Sequence, residues 1–137
     1  MNIKDVKEWL LIADADFDSA KILNNAYKKH KEVICYLCAQ AAEKYLKGYL
    51  VYNDIVPPKT HNLVLLCDKC IELDKTFSEI KMECGFINRY ANEIRYPYRT
   101  EITEEDVSYV INSLEKISGR KTIRSMREEI TNSENDY

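Results

Sequence analysis

The sequence predicts an all-α protein, an antiparallel up-and-down bundle of four main helices plus one short helix. Three observations carry that prediction. Apolar residues recur at steps of three and four along most of the chain, the period of a helix buried on one side. Only three glycines and three prolines occur in 137 residues, too few turn formers for a β-rich or loop-rich fold. The connections between periodic stretches are short, which sets successive helices antiparallel.

The first helix is expected over about residues 3–28, with Val6, Trp9, Leu10, Ala13, Phe17, Ala20, Leu23 and Tyr27 on one stripe. Asp14, Asp16, Asp18 and Lys21 occupy the other side. The basic run Lys28-Lys29-His30-Lys31 reads as a solvated helix end, since positive charge favours a C-terminus. A second helix, about 32–52, stops ahead of Pro57-Pro58. Thr60 is expected to cap a short third helix of about 61–74, with Leu63, Leu66, Cys67 and Cys70 facing inward. A fourth, about 77–94, carries Ile80, Cys84, Ile87, Tyr90 and Ile94 and ends before Pro97. Thr103-Glu104-Glu105-Asp106 is a capping box with Asp in the usual place of Glu. It opens a fifth helix carrying Val107, Val110, Ile111, Leu114 and Ile117. Beyond Gly119 the pattern weakens, so residues 119–137 are expected as a helical extension, through Ile123, Met126 and Ile130, or as a frayed tail, on a bundle of residues 1–118.

The composition, 45% apolar and 31% charged, belongs to an ordinary folded chain, and the length to one domain with its own core. A net charge of −3 gives no global attraction to nucleic acid. RNA stays open as a ligand only through a local basic patch. No window of eighteen apolar residues exists, and Met1-Asn2-Ile3-Lys4-Asp5 lacks a signal-peptide core. No membrane association is expected. A cytoplasmic location follows as the expectation, with the five cysteines reduced.

Cys35-x-x-Cys38 and Cys67-x-x-Cys70 invite a zinc reading, but both pairs lie within expected helices, with Cys38, Cys67 and Cys70 on apolar stripes. Core packing is the preferred reading, and neither a metal nor a cofactor is expected. The polar signal lies in Cys38–Lys47. Ala39, Ala41 and Ala42 permit close helix packing, while Gln40, Glu43, Lys44 and Lys47 cluster on one side at steps of three and four. Lys44 and Lys47 with Arg89 and Arg95 would suit a phosphate, and Tyr90 or Tyr96 could stack on a base. The competing reading pairs Glu43 with Lys47 and the arginines with Asp16, Asp18 or Glu93. His61 follows the expected cap, where it serves as a hydrogen-bonded structural residue or as part of an anion site. Arg95-Tyr96-Pro97 ends a helix and fixes the following loop, or contacts ligand. Arg120, Lys121, Arg124 and Arg127, balanced by Glu128 and Glu129, read as a solvated face.

Trp9, Ala13, Asp16, Ala20 and Leu23, then Gln40-Ala41-Ala42-Glu43-Lys44-x-x-Lys47, Pro58-x-Thr60-His61-x-Leu63, and Arg89-Tyr90 with Arg95-Tyr96-Pro97 together resemble the HEPN family, the higher eukaryotes and prokaryotes nucleotide-binding domain. The resemblance spans about residues 3–117. It implies a four- or five-helix bundle that commonly pairs as a homodimer and often partners a small nucleotidyltransferase, as a nucleotide-binding subunit or in a toxin–antitoxin pair. Catalytic branches of the family are metal-independent ribonucleases that use an Arg-x(4–6)-His motif. This chain departs from it: the permitted positions hold Ile94, Arg95 and Tyr96 after Arg89, and Thr100, Glu101 and Ile102 after Arg95. Its two histidines, His30 and His61, both lie upstream. The expectation is therefore a non-catalytic binding and interaction subunit with a nucleotide or phosphate site at Lys44, Lys47, His61, Arg89, Arg95 and Tyr96. A ribonuclease with an atypical catalytic set is the alternative, and a dimeric scaffold without a small ligand is a second.

Overall fold

The computed structural model of the protein describes residues 2–91 and 101–135, the last two by their backbone alone. Asn2 starts helix α1 (Ile3–Asn24) by accepting a hydrogen bond from the Asp5 N–H at 3.3 Å. Val6, Leu10, Ala13, Phe17 and Ala20 form the buried stripe. The helix stops at Asn24 rather than near residue 28. There the Asn25 side-chain amide donates to the Lys21 carbonyl at 3.0 Å, satisfying a terminal acceptor. Tyr27, expected on the apolar stripe, is consequently fully exposed.

Helix α2 (Lys31–Tyr52) runs back along α1 and also packs against four later helices, so it forms the centre of the bundle. Its small residues set the spacing. A Cβ at Gly48 would lie 3.1 Å from the Trp9 Cβ, so the two backbones approach there as closely as glycine allows. Asp54, at φ 62°, turns the chain out of α2 in the left-handed region that Asp tolerates better than most residues.

Helix α3 (Leu63–Leu73) is capped by Asn62, whose Oδ1 accepts from the N–H groups of Val64 and Leu65 at 3.0 and 3.2 Å. The expected cap, Thr60, is used one step earlier, its hydroxyl accepting from the Asn62 N–H at 3.1 Å. The expected fourth helix is broken into three pieces: a 3-10 turn (Lys75–Ile80), helix α4 (Lys81–Ile87) and a second 3-10 turn (Asn88–Tyr90). Asp74 tightens the first piece by accepting from both the N–H and the hydroxyl of Thr76. Three residues per turn then align Phe77 with Ile80, and both are buried. Ile94, Arg95, Tyr96 and Pro97 lie outside the described residues.

Helix α5 (Glu104–Ser118) opens on the capping box: Thr103 Oγ1 accepts from the Asp106 N–H, and Asp106 Oδ2 from the Thr103 N–H, each at 3.0 Å. Lys29 and Lys31, in the basic run, pair with Glu104 in its first turn. Helix α6 (Lys121–Asn135) then lies across α1 and α2, burying Ile123, Met126 and Ile130. It is fastened by Arg127, which forks onto Asp14 at 2.5 and 2.9 Å while Tyr45 donates to the same carboxylate at 2.6 Å. Burial pushes the Asp14 carboxyl up, but the Arg127 and Tyr45 hydrogen bonds outweigh it and hold Asp14 below the usual carboxylate range.

All five cysteines are buried free thiols. Burial pushes Cys35 and Cys38 up to about 12, which keeps the free thiols protonated. Among the described residues no group of three His, Cys, Asp or Glu side chains could hold a metal ion. No described helix is long and apolar enough to cross a membrane.

Candidate functional site

Because α2 is the central helix, a polar residue on its inner side is enclosed by its neighbours. Glu43 is such a residue, 3% exposed. Its two oxygens divide the surrounding donors. Oε2 accepts from Lys44 at 3.2 Å and from Lys47 at 3.3 Å, while Oε1 meets His61 Nδ1 at 2.6 Å. Gln40, one turn before Lys44, accepts a second hydrogen bond from its ammonium at 3.0 Å. Lys47 Nζ lies 6.0 Å from the centroid of the Trp9 ring on α1.

The electrostatics follow from this crowding. Burial raises the Glu43 pKa, yet the His61 hydrogen bond and the charges of Lys44 and Lys47 overcome it and hold the carboxyl below its ordinary value. Glu43 is therefore ionised and accepts, so His61 Nδ1 is the donor in this hydrogen bond. The His61 side chain is 58% exposed while its partner is not. Asp16 on α1 completes the cluster. Its carboxyl is pushed up by burial, drawn down in part by Lys44 and pushed up again by Glu43.

Three of the six expected site residues, Lys44, Lys47 and His61, thus converge on one carboxylate. Arg89 is exposed on the 3-10 turn Asn88–Tyr90, its guanidinium 4.8 Å from the centroid of the Phe86 ring. That turn packs on α2 and is tied to the start of α3 by Asn88, which accepts from the Leu63 N–H at 2.8 Å. The tether holds the Arg89 segment beside the loop that carries His61. Arg95 and Tyr96 lie outside the described residues. Tyr90 is buried with its ring edge-on to Phe86, so it offers no stacking face.

The Glu43–Lys47 pair of the competing reading forms, and it lies beside Lys44 and His61 on the same carboxylate. Asp18 pairs with Lys21, and Glu93, the other acid offered to the arginines, lies with Arg95 outside the described residues. In the tail the expected solvated face holds for Lys121, Arg124, Glu128 and Glu129, which are exposed, and fails for Arg120 and Arg127, which bond to Thr76 and Glu79, and to Asp14, respectively. Steps of three and four from Ile123 to Ile130 point one face of α6 at the bundle, and the flanking arginines follow it in. The position of Asp16 within the Lys44 cluster was not visible in sequence, because it depends on how α1 and α2 are aligned.

The comparisons agree with this architecture. The HEPN domain matches residues 6–124. The crystal structure of an archaeal HEPN homologue superposes with a TM-score of 0.66 at 24% identity, covering 91% of this chain and 97% of the other, a likeness of fold. No curated protein matches the chain. The matched span takes in α1 to α5 and the start of α6, with Glu43, Lys44, Lys47, His61 and Arg89 all inside it, and the chain belongs to the HEPN domain family.

Proposed function

We propose that the protein is a binding and interaction subunit that takes a nucleotide or another phosphorylated ligand at the exposed edge of the Glu43 cluster. The observation that carries this reading is the convergence of Lys44, Lys47 and His61 on one buried carboxylate, beside the turn that bears Arg89. Lys47 is spent on Glu43 and largely enclosed. The groups proposed to meet a phosphate are His61, Lys44 and Arg89, with Arg95 and Tyr96 assigned to the same site from the sequence. An Arg fork on a phosphate is the strong, directional contact in such a set.

Calorimetric titration of AMP, ADP and ATP tests it. Arg89→Ala, at an exposed position, is expected to leave the fold intact and weaken the best ligand by about tenfold, roughly 1.4 kcal/mol. Equal affinity in wild type and variant removes Arg89 from the site. For partners, the reading expects a homodimer and a small nucleotidyltransferase recovered in comparable amount in a tagged pull-down at low salt. The bait alone would set the partner aside.

One observation favours a second reading. The Glu43 carboxylate holds His61 through Nδ1, which orients the ring as a carboxylate orients a general base that works through Nε2. On this reading the atypical ribonuclease set is His61 with Arg89. RNA incubated without metal should be cleaved by wild type and not by His61→Ala, and products no greater than in a protein-free control would dismiss it.

A further inference from the structure

The side of α2 that carries Lys44 and Lys47 continues past them. Lys44, Lys47 and Val51 follow at steps of three and four and so lie in one line along the helix. Trp9 of α1 stands beside that line, half-buried, packed on Gly48 and with its ring centroid 6.0 Å from Lys47 Nζ. The same residue lines a cleft of about 450 Å3, within the range of sites that take small organic ligands. Val51, Ile55, Val56 and Pro57 supply further apolar surface to it. A few residues on, the connection that contains Ile55, Val56 and Pro57 brings His61 to Glu43. The cleft and the cationic cluster are therefore neighbours, joined through Trp9 and Lys47 on one side and through this connection on the other.

Their polar groups differ. Asp5 and Glu8, one turn apart on α1, line the cleft as exposed carboxylates, and Asp54 adds further negative charge. Such a rim repels a phosphate, which fixes the end of a nucleotide that points to Lys44 and His61. Asn2 spends its Oδ1 on the Asp5 N–H, which leaves its amide NH2 to donate. Carboxylate acceptors beside an amide donor complement guanine, whose edge sets N1–H and N2–H2 next to the O6 acceptor. Adenine and cytosine instead offer a ring-nitrogen lone pair beside the amino group, and uracil flanks its N–H with two carbonyls. A carboxylate facing either arrangement is left against another acceptor.

We propose that this cleft is the base subsite of the nucleotide bound at the Glu43 cluster and that it selects guanine, stacked on Trp9 with its donor edge on Asp5 and Glu8. This subsite presupposes the phosphate contact proposed above. Trp9 is the one tryptophan of the chain, so its emission reports the cleft. GMP, AMP, UMP, guanosine and ribose 5-phosphate are titrated in turn into the full chain, with heat and Trp9 emission followed together. GMP should quench the emission saturably and bind about tenfold tighter than AMP or UMP. Ribose 5-phosphate, which has no base, should bind more weakly and leave the emission unchanged. Replacing both exposed carboxylates, Asp5→Asn with Glu8→Gln, should bring GMP down to the affinity of AMP while the quench persists. The base subsite is overturned, and the phosphate reading left standing, if ribose 5-phosphate binds as tightly as GMP or if GMP binds without moving the emission. Guanine selection is overturned if AMP or UMP matches GMP, or if the double variant keeps the preference. Guanosine binding as tightly as GMP, with the quench intact, would support the cleft and sink the phosphate reading instead. Heat from none of the five would overturn both.

Discussion

A carboxylate taken out of water keeps its charge only where donors and cations replace the lost hydration. Glu43 meets that condition with two ammonium groups and an imidazole, and the converse dependence is the sharper one. Replacing it by Gln leaves Lys47, with a side chain 10% exposed, next to no counter-charge. Glu43→Gln is expected to cost about 3 kcal/mol, read as a lower urea midpoint at unchanged slope. A midpoint equal to wild type would mean that both lysines swing out to solvent instead. The same carboxylate gives the fold an acid limit. Glu43 and Asp14 both have folded pKa values below their ordinary 4.5 and 3.8. Below those values the unfolded chain binds protons that the native state refuses. The stabilisation is therefore complete above about pH 4.5 and lost as pH falls through the folded values. Urea midpoints should be flat from pH 7 to pH 5 and drop steeply below pH 4; a flat midpoint down to pH 3 would contradict the assignment. Of this cluster, the i, i+4 pair Glu43–Lys47 was legible in the sequence. The third contact, His61, depends on the left-handed turn at Asp54 and the irregular connection after it, which no periodicity records.

The helices were legible as far as their apolar stripes ran undisturbed. Every inward residue expected on α3 and α5 is buried, because one amphipathic face against a core is a local property. Their ends were less legible, since several residues compete to cap them: Asn62 displaced Thr60, and Asn25 shortened α1. The broken fourth helix shows the same competition, an Asp74 turn against an apolar pattern that also suits a continuous helix. Between elements, the tightest constraint is Gly48. Helix propensity alone favours Ala there by about 1 kcal/mol. The atom that an added Cβ would meet is the Trp9 Cβ at 3.1 Å, fixed to the α1 backbone and unable to rotate away. Gly48→Ala should therefore gain little or nothing, and Gly48→Val, with two further methyl groups and a β-branch, should lose more than about 2 kcal/mol in thermal unfolding. A Val variant as stable as wild type would show that α1 and α2 are free to separate.

At the scale of the whole molecule, the question the sequence posed most openly was whether residues 119–137 belong to the bundle. Only Ile123, Met126 and Ile130 carry the apolar repeat in a segment otherwise rich in charge, so composition argued for solvent. The deciding contacts are long-range ones. Arg127 reaches Asp14 across more than a hundred residues of chain, and Tyr45 of the central helix completes the same carboxylate. Half-exposed as it is, the Arg127–Asp14 pair contributes little by itself, about 1 kcal/mol. The three apolar side chains matter more, at roughly 1.5–3 kcal/mol each for full burial. Ending the chain at Ser118 removes all of them, uncovers Tyr45 and leaves Asp14 with the Tyr45 hydroxyl but no guanidinium. A loss of about 5 kcal/mol follows, comparable to the whole stability of a small domain. The truncated chain should therefore be marginally folded, with a broadened or absent thermal transition, while Arg127→Ala in the full chain should lower the midpoint only slightly. If the truncated chain melts like the full one, α6 rests on the bundle without stabilising it; if Arg127→Ala alone costs as much as truncation, the ion pair and not the apolar face is what fastens the helix.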